Sequence, residues 1–218
     1  MESRFGLVIF DCDGVLVDSE PIVNRVDVEQ MASIGLDLSP EELMRHFLGR
    51  TKEGCIVLAA ELLGRDLPAG FAAAWDAAIM DSLAREVRAI EGVEAVIRQL
   101  DIPYCAASNS DPVRLELSLR TSGLLPLFDG RAFSAAEVAR PKPAPDLFLH
   151  AARAMGAAPR RCVVIEDTPT GARAATAAGM TVLGYAGAAH ADREALAREG
   201  ALVFDSMGTL PSLLGGIR

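Results

Sequence analysis

The sequence predicts an α/β fold, a parallel β-sheet covered by helices on both faces and interrupted near its start by an inserted block of helices. Three observations carry this prediction. From Gly92 onward, short apolar runs of strand length alternate with helical stretches, the pattern of a parallel sheet whose crossovers are helices. The runs Leu7-Val8-Ile9-Phe10, Tyr104-Cys105-Ala106-Ala107 and Cys162-Val163-Val164-Ile165 contain no charged residue, as strands buried in a core should. Between Ser19 and about Arg88 the spacing is helical and no strand is evident. Residues 1–18 and 88–218 are therefore read as one α/β core, and residues 19–87 as an inserted helical subdomain.

In chain order, Leu7 to Phe10 form the first strand. Ile22, Val23, Val26, Met31 and Ile34 mark one apolar helix face, and Gly35 closes that helix. Ser39-Pro40-Glu41-Glu42 supplies a capping serine, a proline at the first helical position and a glutamate three residues after the cap. A helix from Thr51 to Leu63 stops at Gly64, and alanine-rich residues 69–86 give a fourth. The core then resumes with helix 92–100 and strand 103–107. Asp111-Pro112 starts a helix ending at Gly123. Strand 131–134, a helix from 144 to Met155, strand 162–166, helix 169–178 and strand 180–185 follow. Helix 191–199, strand 201–204 and a last helical turn end the chain. The crossings near 16–20 and 86–92 are the expected hinges.

The chain has 218 residues, half of them hydrophobic, and a net charge of −9. That acidity, without a basic run, excludes a nucleic-acid binder, whose phosphates demand Lys and Arg. It also lacks the polybasic segment that anionic membranes attract. No apolar run approaches the roughly 18 residues of a membrane span. Met1-Glu2-Ser3-Arg4 leads straight into the first strand, so no signal peptide is expected and the location is read as cytoplasmic. Cys12, Cys55, Cys105 and Cys162 are far apart without a Cys-x-x-Cys pair, and read as structural thiols. Nothing in the sequence sets the oligomeric state, and a monomer suffices.

The chemistry-bearing residues fall at strand ends. Asp11 and Asp13, one residue apart, follow the first strand in Asp11-Cys12-Asp13-Gly14-Val15-Leu16-Val17-Asp18. Ser108 ends the second apolar run, Lys142 sits in Arg140-Pro141-Lys142-Pro143-Ala144-Pro145-Asp146, and Glu166-Asp167 ends the run from Cys162. Taken singly, Asp13-Gly14 is a common turn pair, a lone lysine is a solvated surface residue and Ser108 or Ser110 is a helix cap. In a parallel sheet, however, the carboxyl ends of the strands share one edge, where open α/β sheets bind ligands. Asp111 already supplies the cap, which frees Ser108.

These four pieces, in this order, resemble the motifs of the haloacid dehalogenase-like superfamily, in its phosphatase branch, over essentially the whole chain. The resemblance implies a Rossmann-like core with a helical cap subdomain. It implies Asp11 as nucleophile, forming an aspartyl-phosphate, and Asp13 as general acid and then general base. It assigns magnesium to the Asp11 side chain, the Asp13 backbone carbonyl and Asp167; Glu166 joins either directly or through water. Lys142 would neutralise phosphate and nucleophile, and Ser108 would donate to the phosphoryl oxygens. Asn109 is a further phosphate or substrate contact. Phe47-Leu48-Gly49-Arg50-Thr51-Lys52 resembles a substrate-specificity loop, with Gly49, Arg50 and Lys52 as contacts. Asp18 is expected to fix a turn, Thr168 and Thr170 to serve as turn or cap residues or as ligands, and His46, His150 and His190 to carry no chemistry.

The expected activity is a magnesium-dependent phosphatase acting on a small sugar or polyol phosphate. A β-phosphoglucomutase-type mutase is the alternative. The mutase relatives carry a histidine five positions past the aspartate that ends the first motif, where this chain has Val23, and a lysine before the loop glycine, where it has Leu48. Asp13 argues against a dehalogenase and a phosphonate hydrolase. Motif order argues against a receiver domain, and the complete motif set against a binding protein without activity.

Overall fold

A computed structural model describes residues 4–47, 52–188 and 190–216. The chain divides into two compact units, one running to Asp18 and resuming at Arg88, the other spanning Ser19–Val87. Along the chain β1 (Leu7–Phe10) is followed by α1 (Glu20–Ser33), α2 (Pro40–Phe47), α3 (Lys52–Leu63) and α4 (Phe71–Glu86). Then come α5 (Val93–Arg98), β2 (Tyr104–Ser108), α6 (Pro112–Thr121), β3 (Ala132–Ser134) and α7 (Asp146–Ala154). The chain continues through β4 (Cys162–Glu166), α8 (Pro169–Ala177), β5 (Thr181–Tyr185), α9 (Arg193–Arg198), β6 (Leu202–Phe204) and α10 (Leu210–Gly216).

The six strands form one parallel sheet in the order β3-β2-β1-β4-β5-β6. β1 lies at its centre, with Ile9 opposite Cys105 on one side and Val164 on the other. All four β1 residues are fully buried, which accounts for the unbroken apolar run: a strand covered on both faces has no solvent side to alternate with. Leu7 and Ile9 pack with Leu147, Phe148 and Ala151 of α7 and with the alanines of α8. On the opposite parity, Phe10 meets Phe128 edge-on at 6.4 Å. Because every strand runs the same way, the ends of β1, β2 and β4 emerge together, where the strand order reverses about β1.

The unit Ser19–Val87 has its own core of Val26, Met31, Ile34, Leu43, Phe47, Phe71 and Trp75. One of its helices starts at a side-chain cap and another stops at a glycine. Ser39 and Glu42 form the reciprocal cap of α2, at 2.9 and 3.2 Å. Gly35, at φ +95°, lets the Leu36 N–H turn back to the Met31 carbonyl at 2.9 Å, ending α1. The outgoing and returning segments of the α/β unit are stitched together. Asp18 N–H donates to Arg88 O and Ile90 N–H to Leu16 O, both at 2.9 Å. Among the described residues no helix is long and apolar enough to cross a membrane.

Candidate active site

Each chemistry-bearing residue of the α/β unit is delivered by the end of a strand or the loop behind it. Asp11 follows β1, Ser108 ends β2, and Glu166-Asp167 closes β4. Lys142 arrives from the loop before α7, and both atoms of the Asn109 amide hold it there. Lys142 N–H donates to Asn109 Oδ1 at 3.0 Å, and Asn109 Nδ2 donates to Lys142 O at 3.2 Å. Asn109, expected to touch substrate, is thus engaged by the Lys142 backbone.

Lys142 Nζ donates to Asp11 Oδ1 at 2.5 Å and to Glu166 Oε1 at 2.8 Å, and it lies 4.7 Å from the centre of the Phe148 ring. Glu166 Oε2 accepts from the Thr168 N–H and hydroxyl, both at 2.9 Å. Thr168 in turn caps α8 by accepting from Gly171 N–H at 3.1 Å. There is no room beside this arrangement, since a Cβ on Gly171 would fall 1.6 Å from Glu166 Oε1.

These groups are buried, and burial and the neighbouring charges together set their protonation. It pushes the Asp11 carboxyl well above the usual carboxylate range, against the lowering effect of Lys142 and with the help of Glu166 and Asp167. Burial alone would lower the Lys142 ammonium, but the charges of Asp11 and Glu166 overcome it and hold the group above the usual lysine range. Asp167 is pushed up to about 6 by burial, opposed chiefly by its hydrogen bond with His190. Cys12, between the two aspartates in sequence, is 1% exposed and its thiol is pushed far up by burial and by Asp13 and Asp11. It is an inert core group.

Asp13 has a different setting. Its Oδ2 accepts from the Ser110 hydroxyl at 2.8 Å and from the Ser108 hydroxyl at 3.3 Å, and its Oδ1 accepts from Arg114 at 3.3 Å. Asp111 caps α6 through Val113 and Arg114 N–H at 2.9 and 3.0 Å, so Ser108 is left to join Asp13. Ser110 was read from the sequence only as an alternative cap for this helix, a place that Asp111 fills, and Arg114 was not singled out at all. Arg114 carried a usable signal, since it sits in the first turn of α6, where the helix dipole disfavours a cation unless an acid faces it.

Asp11, Glu166 and Asp167 each offer an oxygen within 4.8 Å of the others. Both Glu166 oxygens already accept hydrogen bonds, whereas Asp167 Oδ1 is buried without a hydrogen-bond partner among the described residues. A buried acceptor with no donor is costly to leave unmade. Hard carboxylate oxygens beside such an acceptor suit a small divalent cation such as magnesium, so the donor set fits. His190, to which the sequence assigned no chemistry, meets Asp167 Oδ2 at 2.5 Å.

Of the specificity-loop candidates, Gly49 and Arg50 lie outside the described residues. Lys52 is bound within the helical unit. It pairs with Asp76, reaches Ala72 O at 3.2 Å, and lies over the Trp75 ring at 5.8 Å.

A strand-end aspartate pair, a buried lysine and an acidic pair on one edge of this sheet define a hydrolase class, and comparison with known proteins identifies it. A family model described as haloacid dehalogenase-like hydrolase matches residues 5–179, and the chain belongs to that family. Its relatives include the 6-phosphogluconate phosphatase of Escherichia coli (strain K12), 32% identical over 215 residues that cover 97% of this chain and 95% of that protein. A conserved haloacid dehalogenase-like protein of unknown function from Agrobacterium tumefaciens str. C58 superposes with a TM-score of 0.85 at 37% identity, over 96% of this chain and 97% of the other. A HAD family hydrolase from Deinococcus radiodurans R1, solved with bound phosphate and sodium, gives 0.83 at 37% identity, over 98% and 96%.

Proposed function

We propose that this hydrolase, a phosphoric monoester hydrolase, removes phosphate from a small sugar or polyol phosphate through an aspartyl-phosphate on Asp11. The observation that carries the reading is the Asp11 carboxylate, held by Lys142 Nζ at 2.5 Å at the end of the central strand and near Asp167, whose Oδ1 has no hydrogen-bond partner among the described residues. The relative that cleaves 6-phosphogluconate supports a polyhydroxylated substrate. Substrate choice is assigned to the inserted helical unit, acting as a cap.

In this mechanism Asp11 attacks phosphorus as the P–O bond to the leaving alcohol breaks, and Asp13 gives that alcohol its proton. Asp13, now ionised, takes a proton from the water that attacks the aspartyl-phosphate, releasing inorganic phosphate and restoring Asp11. Lys142 steers Asp11 and balances the charge of the phosphoryl group. The hydroxyls of Ser108 and Ser110 and the guanidinium of Arg114 hold Asp13 between these two proton transfers. Asp11, the Asp13 carbonyl and Asp167 would hold magnesium, with Glu166 outside them because Lys142 and Thr168 occupy its oxygens. When bound, the cation supplies charge relief to the transferring phosphoryl group.

The test is phosphate release from a panel of about a hundred phosphorylated metabolites, a breadth suited to enzymes of modest rate, with p-nitrophenyl phosphate as reference. Rapid acid quench and mass spectrometry would look for phosphorylated Asp11. A hit among sugar or polyol phosphates, lost on chelation, is expected. Interconversion of glucose 1- and 6-phosphates outpacing phosphate release would replace the phosphatase with a mutase.

A further inference from the structure

We infer that His190 is a positioning residue for the cation site, fixing Asp167 so that one of its oxygens is left to face the metal. The inference rests on the cation reading above. It arises from three observations about the same carboxylate.

The first is topological. β5 is the neighbour of β4 in the sheet, with Glu166 opposite Gly184. The loop behind β5 therefore leaves beside Asp167 and brings His190 to it from 23 residues away. The second is the hydrogen bond. An ionised carboxylate only accepts, so His190 Nε2 carries the proton and donates to Asp167 Oδ2 at 2.5 Å. The third is steric. Gly14, at φ +79°, faces the same pair, and a Cβ there would stand 1.9 Å from Asp167 Oδ2 and 3.0 Å from His190 Cε1.

Oδ2 is thus boxed between the Gly14 backbone and the imidazole, while Oδ1 is buried and has no donor among the described residues. A carboxylate held by one oxygen offers the other with its rotamer already chosen, so less freedom is lost when a cation binds. An unanchored Asp167 would have to be ordered by the cation itself. The His190 side chain is 21% exposed, enough to contact solvent but with its donor nitrogen turned inward.

The experiment measures Mn2+ and Mg2+ binding directly, by electron paramagnetic resonance of free Mn2+ and by calorimetry, without turnover. His190→Ala is expected to weaken binding about 10- to 100-fold, the usual cost of losing a partner that orients a ligand. His190→Gln keeps an N–H donor and should recover most of that loss. Asp167→Ala is the control, and it should abolish high-affinity binding. His190→Ala binding Mn2+ within about twofold of wild type, while Asp167→Ala fails to bind, would overturn the role of His190 alone. An equal loss in His190→Ala and His190→Gln, both folded by circular dichroism, would also overturn it, because the ring and not the donated hydrogen bond would then matter. Wild-type affinity in Asp167→Ala would instead overturn the cation reading itself. If His190→Ala unfolds, the Gln variant decides: near-wild-type affinity supports the inference, and a tenfold or larger loss, on the order expected for a lost partner, refutes it.

Discussion

Lys142 and Lys52 have the same kinds of partner in two different parts of the molecule. Each ammonium meets a carboxylate, a further oxygen acceptor and an aromatic ring: Asp11, Glu166 and Phe148 for Lys142, and Asp76, Ala72 O and Trp75 for Lys52. The difference is water. The Lys142 side chain is 4% exposed and its carboxylates 10% and 1%, whereas Lys52 is 31% exposed and Asp76 64%. In water the attraction between two unit charges is screened to little more than thermal energy, while in a dry interior an unpaired charge is costly. The pair in the α/β unit is therefore one that neither partner can leave, and the pair in the helical unit is one that either can.

The variants that probe this contrast are ordered by expected effect. Asp11→Asn should lower turnover by at least about four orders of magnitude, the scale seen when a nucleophile is removed. Steady-state assays on p-nitrophenyl phosphate check it, with folding verified by circular dichroism. Lys142→Met leaves Asp11 and Glu166 buried without their cation and should cost about 3–5 kcal/mol in urea unfolding without metal. A cost under about 1 kcal/mol would show that the two carboxyls simply take up protons and that the buried cluster is not a charged one.

Arg114→Gln tests the Asp13 clamp. Its kcat on an alkyl phosphate, whose leaving group needs a proton, should fall about tenfold, less than the roughly hundredfold or more that a general acid itself contributes, with a smaller fall on p-nitrophenyl phosphate. Equal losses on both substrates would mean that Arg114 acts elsewhere. Lys52→Gln should change stability by about 1 kcal/mol or less, as exposed pairs do, and leave kcat/KM nearly unchanged. A large rise in KM with intact stability would instead make Lys52 a substrate contact.

The same contrast explains what was legible in the sequence. β1, β2 and β4 read clearly because strands dry on both faces are written as uninterrupted apolar runs, and the residues that end them had to fall on one edge. Boundaries shifted beside prolines: Pro103 has no N–H for the ladder, so β2 begins at Tyr104, and α7 begins at Asp146 with Pro145 as its cap, whose carbonyl accepts from Leu149 N–H at 3.0 Å. Asp11, Asp13, Ser108, Lys142, Glu166 and Asp167 were legible as strand-end or loop polar residues in a fixed order. The pairing of Ser110 and Arg114 with Asp13 was not, because Asp13 lies 97 and 101 residues away and no local period links them; the cation in the first turn of α6 signalled only that some acid should face Arg114. His190 is a single loop histidine whose significance exists only once β5 is seen beside β4. The overlooked residues are those that hold other residues.

The stitching of Asp18 to Arg88 and of Leu16 to Ile90 has a consequence for how such a chain changes over time. Hydrogen-bonded neighbours are as close as the two feet of a hairpin, so the sheet experiences everything between Ser19 and Val87 as one loop. Loop closure grows only logarithmically with length, about 0.6 kcal/mol for each doubling. A turn of a few residues, or a different folded module, could therefore replace the whole helical block at little thermodynamic cost to the sheet. The block is free to diversify while the buried charges beneath the sheet edge are not. A chimera joining Asp18 to Arg88 through a short glycine-containing turn should still fold around its six parallel strands.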